Sequence, residues 1–256
     1  MRNVALRLRF DGARYHGWQL QKTEVTVSGT LEKALSRVCG EEIRTVGCSR
    51  TDAGVHANRY CASFRTASAI PAERLPPAVN TLLPPDVAVV AAADAPEDFN
   101  AILSCVKKEY IYKIMVSRIR DPFWTGRAYF YPRALDTGAM REAAGHFVGT
   151  RDFAAVRSVG TETKTTVRTV HWFEVEPCEK AVILRVCADG FLYNMARAMA
   201  GTLLYVSEGK IAPGELPGLL ETRDRRRMGP TVPPWGLYLN RVWYGGEVGR
   251  MMESDF

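Results

Sequence analysis

No stretch of this sequence approaches the roughly 20 consecutive apolar residues that a helix needs to cross a bilayer. The amino-terminal run MRNVALRLRFDG alternates apolar and basic residues and lacks the block of about 7 to 15 apolar residues found in a signal peptide. A cytoplasmic protein without membrane contact is expected. The six cysteines, Cys39, Cys48, Cys61, Cys105, Cys178 and Cys187, include no C-x-x-C pair, so reduced thiols are expected rather than a disulfide framework. His16, His56, His146 and His171 are scattered without an H-E-x-x-H helix, and no metal is expected. A G-x-G-x-x-G turn and a phosphate-binding loop are both missing, which excludes the familiar dinucleotide and nucleotide sites, and no cofactor is expected.

What is present is an ordinary globular balance: 46% hydrophobic and 24% charged over 256 residues, enough to bury a substantial core. Lys and Arg number 34 against 28 for Asp and Glu, a formal charge of +6. That excess suits an anionic partner, although many mildly basic proteins have none.

Val4, Leu6, Leu8 and Phe10 alternate with Ala5, Arg7 and Arg9, which predicts a strand with one buried face, ended by Asp11-Gly12. Leu31, Ala34, Leu35 and Val38 have helical spacing, and strands are predicted over 43–48, 60–64 and 87–93, with a short helix over 75–83. Farther on, strands are predicted over 108–116, 167–175, 181–188 and 236–243, and helices over 136–148 and 192–206. The 192–206 segment is apolar nearly all round and should lie between layers. Regular β-α alternation is absent, so the fold expected is α+β with mainly antiparallel sheet, in two similar-sized halves around a central basic cleft, helices packed on the sheet. The polar stretch before Phe99 places a boundary there: a first half over 1–98, a second over 99–245 and a tail over 246–256.

The segment GCSRTDAGVHA, residues 47–57, sets Arg50, Asp52 and Gly54 in a loop between strands. Two readings are open at this point: Asp52 caps a turn whose positive φ comes from Gly54, or the loop presents Arg50 and Asp52 as chemistry.

SRTDAGVHA resembles the GRTDxGVHA motif of the TruA family of tRNA pseudouridine synthases, with Ser49 in place of glycine. Four further segments resemble that family's motifs in the same order. FDGARYHGWQLQ at 10–21 is similar to its opening FDGxxYxGWQxQ, and Phe99-Asn100-Ala101 with the 108–114 stretch KEYIYKI to its F-(H/N)-A and K-x-Y-x-Y-x-I. GFLYNMARAMAGTL at 190–203 resembles GFLxxMVRxxVGTL, and GPTVPPWGLYL at 229–239 resembles the closing APPxGLxL. Ile102 and Leu103 depart from the family's Arg-Phe after F-(H/N)-A, and Ala196, Ala198 and Ala200 stand where larger residues are usual, with Arg197 kept.

The resemblance implies an isomerase that converts uridine to pseudouridine at positions 38, 39 and 40 of the tRNA anticodon stem-loop, as a homodimer and without a cofactor. It makes Asp52 the nucleophile, attacking either sugar or base. Arg197 would favour the ionised carboxylate, unless it is a surface arginine lying along an apolar helix. Arg50 would hold the flipped nucleotide or its phosphate. Tyr110 would stack on the uracil and assist proton removal from carbon 5, with Leu237 as an apolar wall beneath the base. Tyr112 is either a second substrate contact or a core residue. The run Arg223, Arg225, Arg226 and Arg227 is either a phosphate contact or a solvated face; Arg14, Lys22 and Lys107 are lesser candidates.

Overall fold

The computed structural model describes residues 1–158 and 163–254. Its elements run β1 (Arg2–Phe10), α1 (Val27–Cys39), β2 (Thr45–Gly47), β3 (His56–Thr66), α2 (Leu75–Asn80) and β4 (Val87–Ala95). Then come β5 (Lys107–Val116), β6 (Tyr129–Tyr131), α3 (Thr137–Gly145), β7 (Gly149–Asp152), β8 (Val167–Pro177) and β9 (Ala181–Ala188). The chain closes with α4 (Met195–Ser207), α5 (Leu216–Glu221), β10 (Leu237–Trp243) and α6 (Gly246–Glu253). This is the expected α+β class with a mostly antiparallel sheet: β1 with β3 and β4, β2 with β3, β7 with β8 and β8 with β9 pair antiparallel, while β10 with β3 and β5 with β6 pair parallel.

Two compact units result. The first holds Met1–Lys108 and the stretch beginning at Tyr238; the second is Glu109–Leu237. These differ from the expected boundary at Phe99 and the expected tail, for reasons visible in the contacts. Phe99 meets Tyr244 edge-on at 5.2 Å, the Tyr244 hydroxyl donates to the Ala101 carbonyl at 2.6 Å, and the Val106 amide donates to the Trp243 carbonyl at 2.9 Å. The F-N-A segment therefore folds with the first unit, and β10 returns to it by pairing Tyr238 with His56 and Leu239 with Ala57.

In the first unit β1 lies between β3 and β4. Val4, Leu6 and Leu8 are fully buried as the alternation predicts, but Arg7 on the opposite face is buried too. The cause is α6, which packs on β4 and β1 and inserts Val248 and Met252. Carbonyls at its end, those of Ser254 at 2.5 Å and Met252 at 3.4 Å, accept from the Arg7 guanidinium and offset its desolvation. The segment expected to be a tail is thus a helix, and its cover turns a one-faced strand into a two-faced one. Helix α1 starts at Thr26, whose hydroxyl accepts from the Gly29 amide at 3.3 Å, and stops at Gly40, where φ is 74°.

In the second unit the order is β5-β9-β8-β7, with β6 on the side of β5. Helix α4 is buried nearly all round, with Met195, Ala198, Met199 and Leu203 at 0% exposure, and α3 packs on it and on β8. All six cysteines are free thiols; burial pushes Cys48 up to about 12. No described helix is long and apolar enough to cross a membrane.

Candidate active site

The loop from Cys48 to Val55 joins β2 to β3, and the segment after β1 holds it from one side. The Trp18 amide donates to the Thr51 carbonyl at 3.3 Å and the Gly54 amide to the Tyr15 carbonyl at 3.2 Å. This close approach needs glycine on the holding strand. A Cβ on Gly12 would lie 1.9 Å from the Val55 carbonyl oxygen, and one on Gly17, where φ is +81°, would lie 2.2 Å from that of Thr51. Tyr60 stacks on Trp18 at 4.3 Å, and its hydroxyl donates to the Ser49 carbonyl. The opening F-D-G motif and the aspartate motif are therefore one local structure.

Gly54 has φ 78°, and the turn closes through the Val55 amide to the Asp52 carbonyl at 3.2 Å. The Asp52 side chain is half-buried and Arg50 is exposed.

Asp86, ahead of β4, anchors the holding segment. Its carboxylate accepts from the Tyr15 hydroxyl at 2.7 Å and from Arg14 Nε at 2.8 Å, while its carbonyl accepts from the Asp11 amide at 2.9 Å. Burial alone would raise the carboxyl pKa, but the Tyr15 and Arg14 bonds outweigh it and the net shift is downward. A depressed folded-state pKa stabilises the fold above the unfolded value of about 3.9, and that stability fades as pH falls through the folded value. Asp86→Asn is expected to cost about 1–2 kcal/mol at neutral pH. In urea unfolding the gap between wild type and variant should narrow below about pH 4; a gap constant with pH would show that the carboxylate charge is irrelevant.

In the second unit, strand alternation puts Tyr110 and Tyr112 on one face of β5. Tyr110 meets Phe191 edge-on at 4.8 Å and helps line an apolar crevice with Leu184, Val186, Ala196, Ala200 and Leu237. Tyr112 is a core residue: its hydroxyl donates to the Pro233 carbonyl at 2.9 Å, burial raises its pKa, and Gly236 packs against its ring.

Residues 229–236 form a strap laid on α4. Gly201 and Gly229 permit the contact, since a Cβ on Gly201 would sit 1.8 Å from the Pro230 carbonyl oxygen and one on Gly229 2.2 Å from that of Gly201. Thr202 ties the two together by accepting from the Gly229 amide at 3.1 Å and donating to the Ala198 carbonyl at 2.8 Å. The strap presents the Val232 carbonyl to Arg197, whose Nε–H donates to it at 2.8 Å. Arg197 Nη1 donates to Asn194 Oδ1 at 2.7 Å. The arginine is therefore oriented within the protein rather than spread along an exposed helix face. Asn194 and the strap were not singled out from sequence; the only signals were two glycines and an asparagine inside motifs already noticed.

The arginine run is mostly occupied by intramolecular bonds. Arg223 Nε lies 2.9 Å from Asp152, and Arg225 donates to the Gly229 carbonyl at 2.6 Å and the Thr231 hydroxyl at 2.9 Å. Arg226 makes two bonds to Asp224, at 3.0 and 2.9 Å, whereas Arg227 is exposed. Arg225 therefore fastens the strap. Lys107 sits 4.8 Å over the Trp243 ring, and Lys22 is exposed. Among the described residues no group of three or more His, Cys, Asp or Glu is placed to hold a metal.

Comparison with known sequences gives the class. The chain belongs to the tRNA pseudouridine synthase family, whose sequence profile matches residues 8–102 and 143–245. It is accordingly an isomerase. It is similar to tRNA pseudouridine synthase A of Caldicellulosiruptor bescii, 42% identical over 244 residues covering 95% of this chain and 100% of that protein. The proteins of that name from Thermoanaerobacter sp. and Acetivibrio thermocellus are 42% and 43% identical over 244 residues, with the same coverage of 95% and 100%.

Proposed function

We propose that the chain isomerises uridine to pseudouridine at positions 38, 39 and 40 of the tRNA anticodon stem-loop, with Asp52 as nucleophile. The observation that carries this reading is the Asp52 loop, whose backbone is clamped by the 12–18 segment and which carries the half-buried Asp52 two residues after the exposed Arg50. The reaction breaks the bond from N1 of the base to C1′ of the ribose, turns the base, and joins C5 to C1′. The proton on C5 is lost and N1 regains one, so atoms and electrons balance without an oxidant or an external group. A carboxylate suits the first step because it can take up the electron-poor fragment as the glycosidic bond opens, dividing one high barrier into two lower ones.

The other residues follow from this chemistry. Arg197 is the positive partner that keeps the Asp52 carboxylate ionised when RNA excludes water. Tyr110 stacks on the extruded uracil and assists removal of the C5 proton, and Leu237 supports the base from below. Arg50, exposed, takes a phosphate or the flipped nucleotide. A cytoplasmic homodimer bound to one tRNA completes the reading.

The test is incubation with unmodified tRNA bearing uridines at 38 to 40, followed by carbodiimide labelling and primer extension. Stops at those three positions are expected. Stops only elsewhere would replace the anticodon arm with another target, and binding without any stop would reduce the protein to an RNA-binding scaffold. Light scattering should give the mass of a dimer; a monomer would remove that part of the reading.

A further inference from the structure

We propose that Asn194 is a positioning residue that fixes the plane of the Arg197 guanidinium, an inference that rests on the role given to Arg197 above. Asn194 occupies the N-cap of α4. An asparagine there ordinarily has extended backbone and accepts from an amide of the first helical turn. Asn194 does neither: its φ is 61°, its ψ is 7°, and its side chain makes no capping bond. The amide faces two other groups instead. Oδ1 accepts from Arg197 Nη1 at 2.7 Å, and Nδ2 donates to Ser158 Oγ at 3.0 Å. Ser158 is fixed in turn, its own amide donating to the Tyr193 carbonyl at 3.1 Å.

This arrangement determines which end of the Asn194 amide is which. Turned over, the –NH2 would meet a guanidinium that offers only donors. The left-handed backbone is what carries the side chain out of the capping position, and asparagine tolerates that conformation better than other residues bearing a Cβ. On the other edge the Val232 carbonyl takes Nε–H at 2.8 Å. A guanidinium gripped by an acceptor on each of two edges has its plane set, and with it the direction of its remaining donors. Asn194 therefore gives up a helix cap to aim Arg197.

The variants are Asn194→Gly, which keeps the left-handed backbone without strain and removes the acceptor, and Asn194→Asp, which keeps the acceptor. For Asn194→Gly, kcat on saturating tRNA is expected to fall about tenfold or more, as for a misaimed catalytic contact, with KM changed less than about twofold. Asn194→Asp should stay within about threefold of wild type, and Ser158→Ala, one contact removed, should lose about threefold. Circular dichroism at the assay temperature should show all three folded. Wild-type kcat in Asn194→Gly alongside an inactive Arg197→Ala would overturn this inference alone. An equal loss in Asn194→Gly and Asn194→Asp would also overturn it, since the acceptor would then not matter. Full activity in Arg197→Ala would remove the role of Arg197 and this inference together.

Discussion

Asp52→Ala is expected to lower pseudouridine formation on unmodified tRNA by about 10⁴-fold or more, the scale seen when a covalent nucleophile is deleted. Loss of the fold should not confound this result. The turn at 52–55 closes through the Asp52 carbonyl, and the loop is held by the Trp18 amide on the Thr51 carbonyl and the Gly54 amide on the Tyr15 carbonyl, all backbone bonds that alanine retains. Urea unfolding of the same variant should show a loss of no more than about 3 kcal/mol, within the ordinary range for one substitution. Affinity for tRNA should hold within a few-fold, because phosphate contacts supply most of it. The measurement is single-turnover pseudouridine formation, with filter binding on the same preparation. Turnover within tenfold of wild type would eliminate Asp52 as nucleophile. Asp52→Asn refines the test: it preserves shape and hydrogen-bonding capacity but carries no negative charge, so its inactivity would assign the effect to the carboxylate itself.

The strands and helices that bury a regular apolar pattern were legible in the sequence. The β8 and β9 hairpin, the all-round apolar α4 and the strand β1 follow from the spacing of their apolar residues, which marks the faces that apolar neighbours cover. What periodicity could not show was the second neighbour. Arg7 is charged and alternates outward, and only the cover supplied by α6 buries it. That helix was itself hidden, being eight residues long with Gly246 and Gly249 inside it. The site divides in the same way. The five ordered motifs located Asp52, Tyr110, Arg197 and Leu237, but not what holds them. Part of what holds them acts through the backbone, as the Val232 carbonyl does for Arg197, and a carbonyl has no residue type by which a sequence could announce it. The arginine run combines two features: Arg223, Arg226 and Arg227 are exposed, as a solvated face would be, while Arg225 is spent on the strap and Arg223 and Arg226 also pair with aspartates.

Gly17→Ala should be the most damaging single-methyl change outside the proposed catalytic residues. Two costs combine. At φ +81° a Cβ is strained by roughly 1–2 kcal/mol. The new carbon would also stand 2.2 Å from the Thr51 carbonyl oxygen and 3.1 Å from the Asp52 carbonyl carbon, both backbone atoms that cannot swing aside as a side-chain tip can. Either the 12–18 segment withdraws, breaking the Trp18 amide bond to Thr51, or the loop moves and carries Asp52 with it. The first outcome should cost about 3 kcal/mol or more in urea unfolding. The second should cost about 100-fold in kcat, since a displacement near 1 Å is enough to spoil attack geometry. Gly40→Ala separates conformational strain from crowding: Gly40 has φ +74° but nothing within 4 Å of the added carbon. It should lose only about 1 kcal/mol and keep wild-type kcat. If Gly17→Ala matched Gly40→Ala in both measurements, strain alone would explain the loss, and the close approach of the 12–18 segment would not be what holds the Asp52 loop in place.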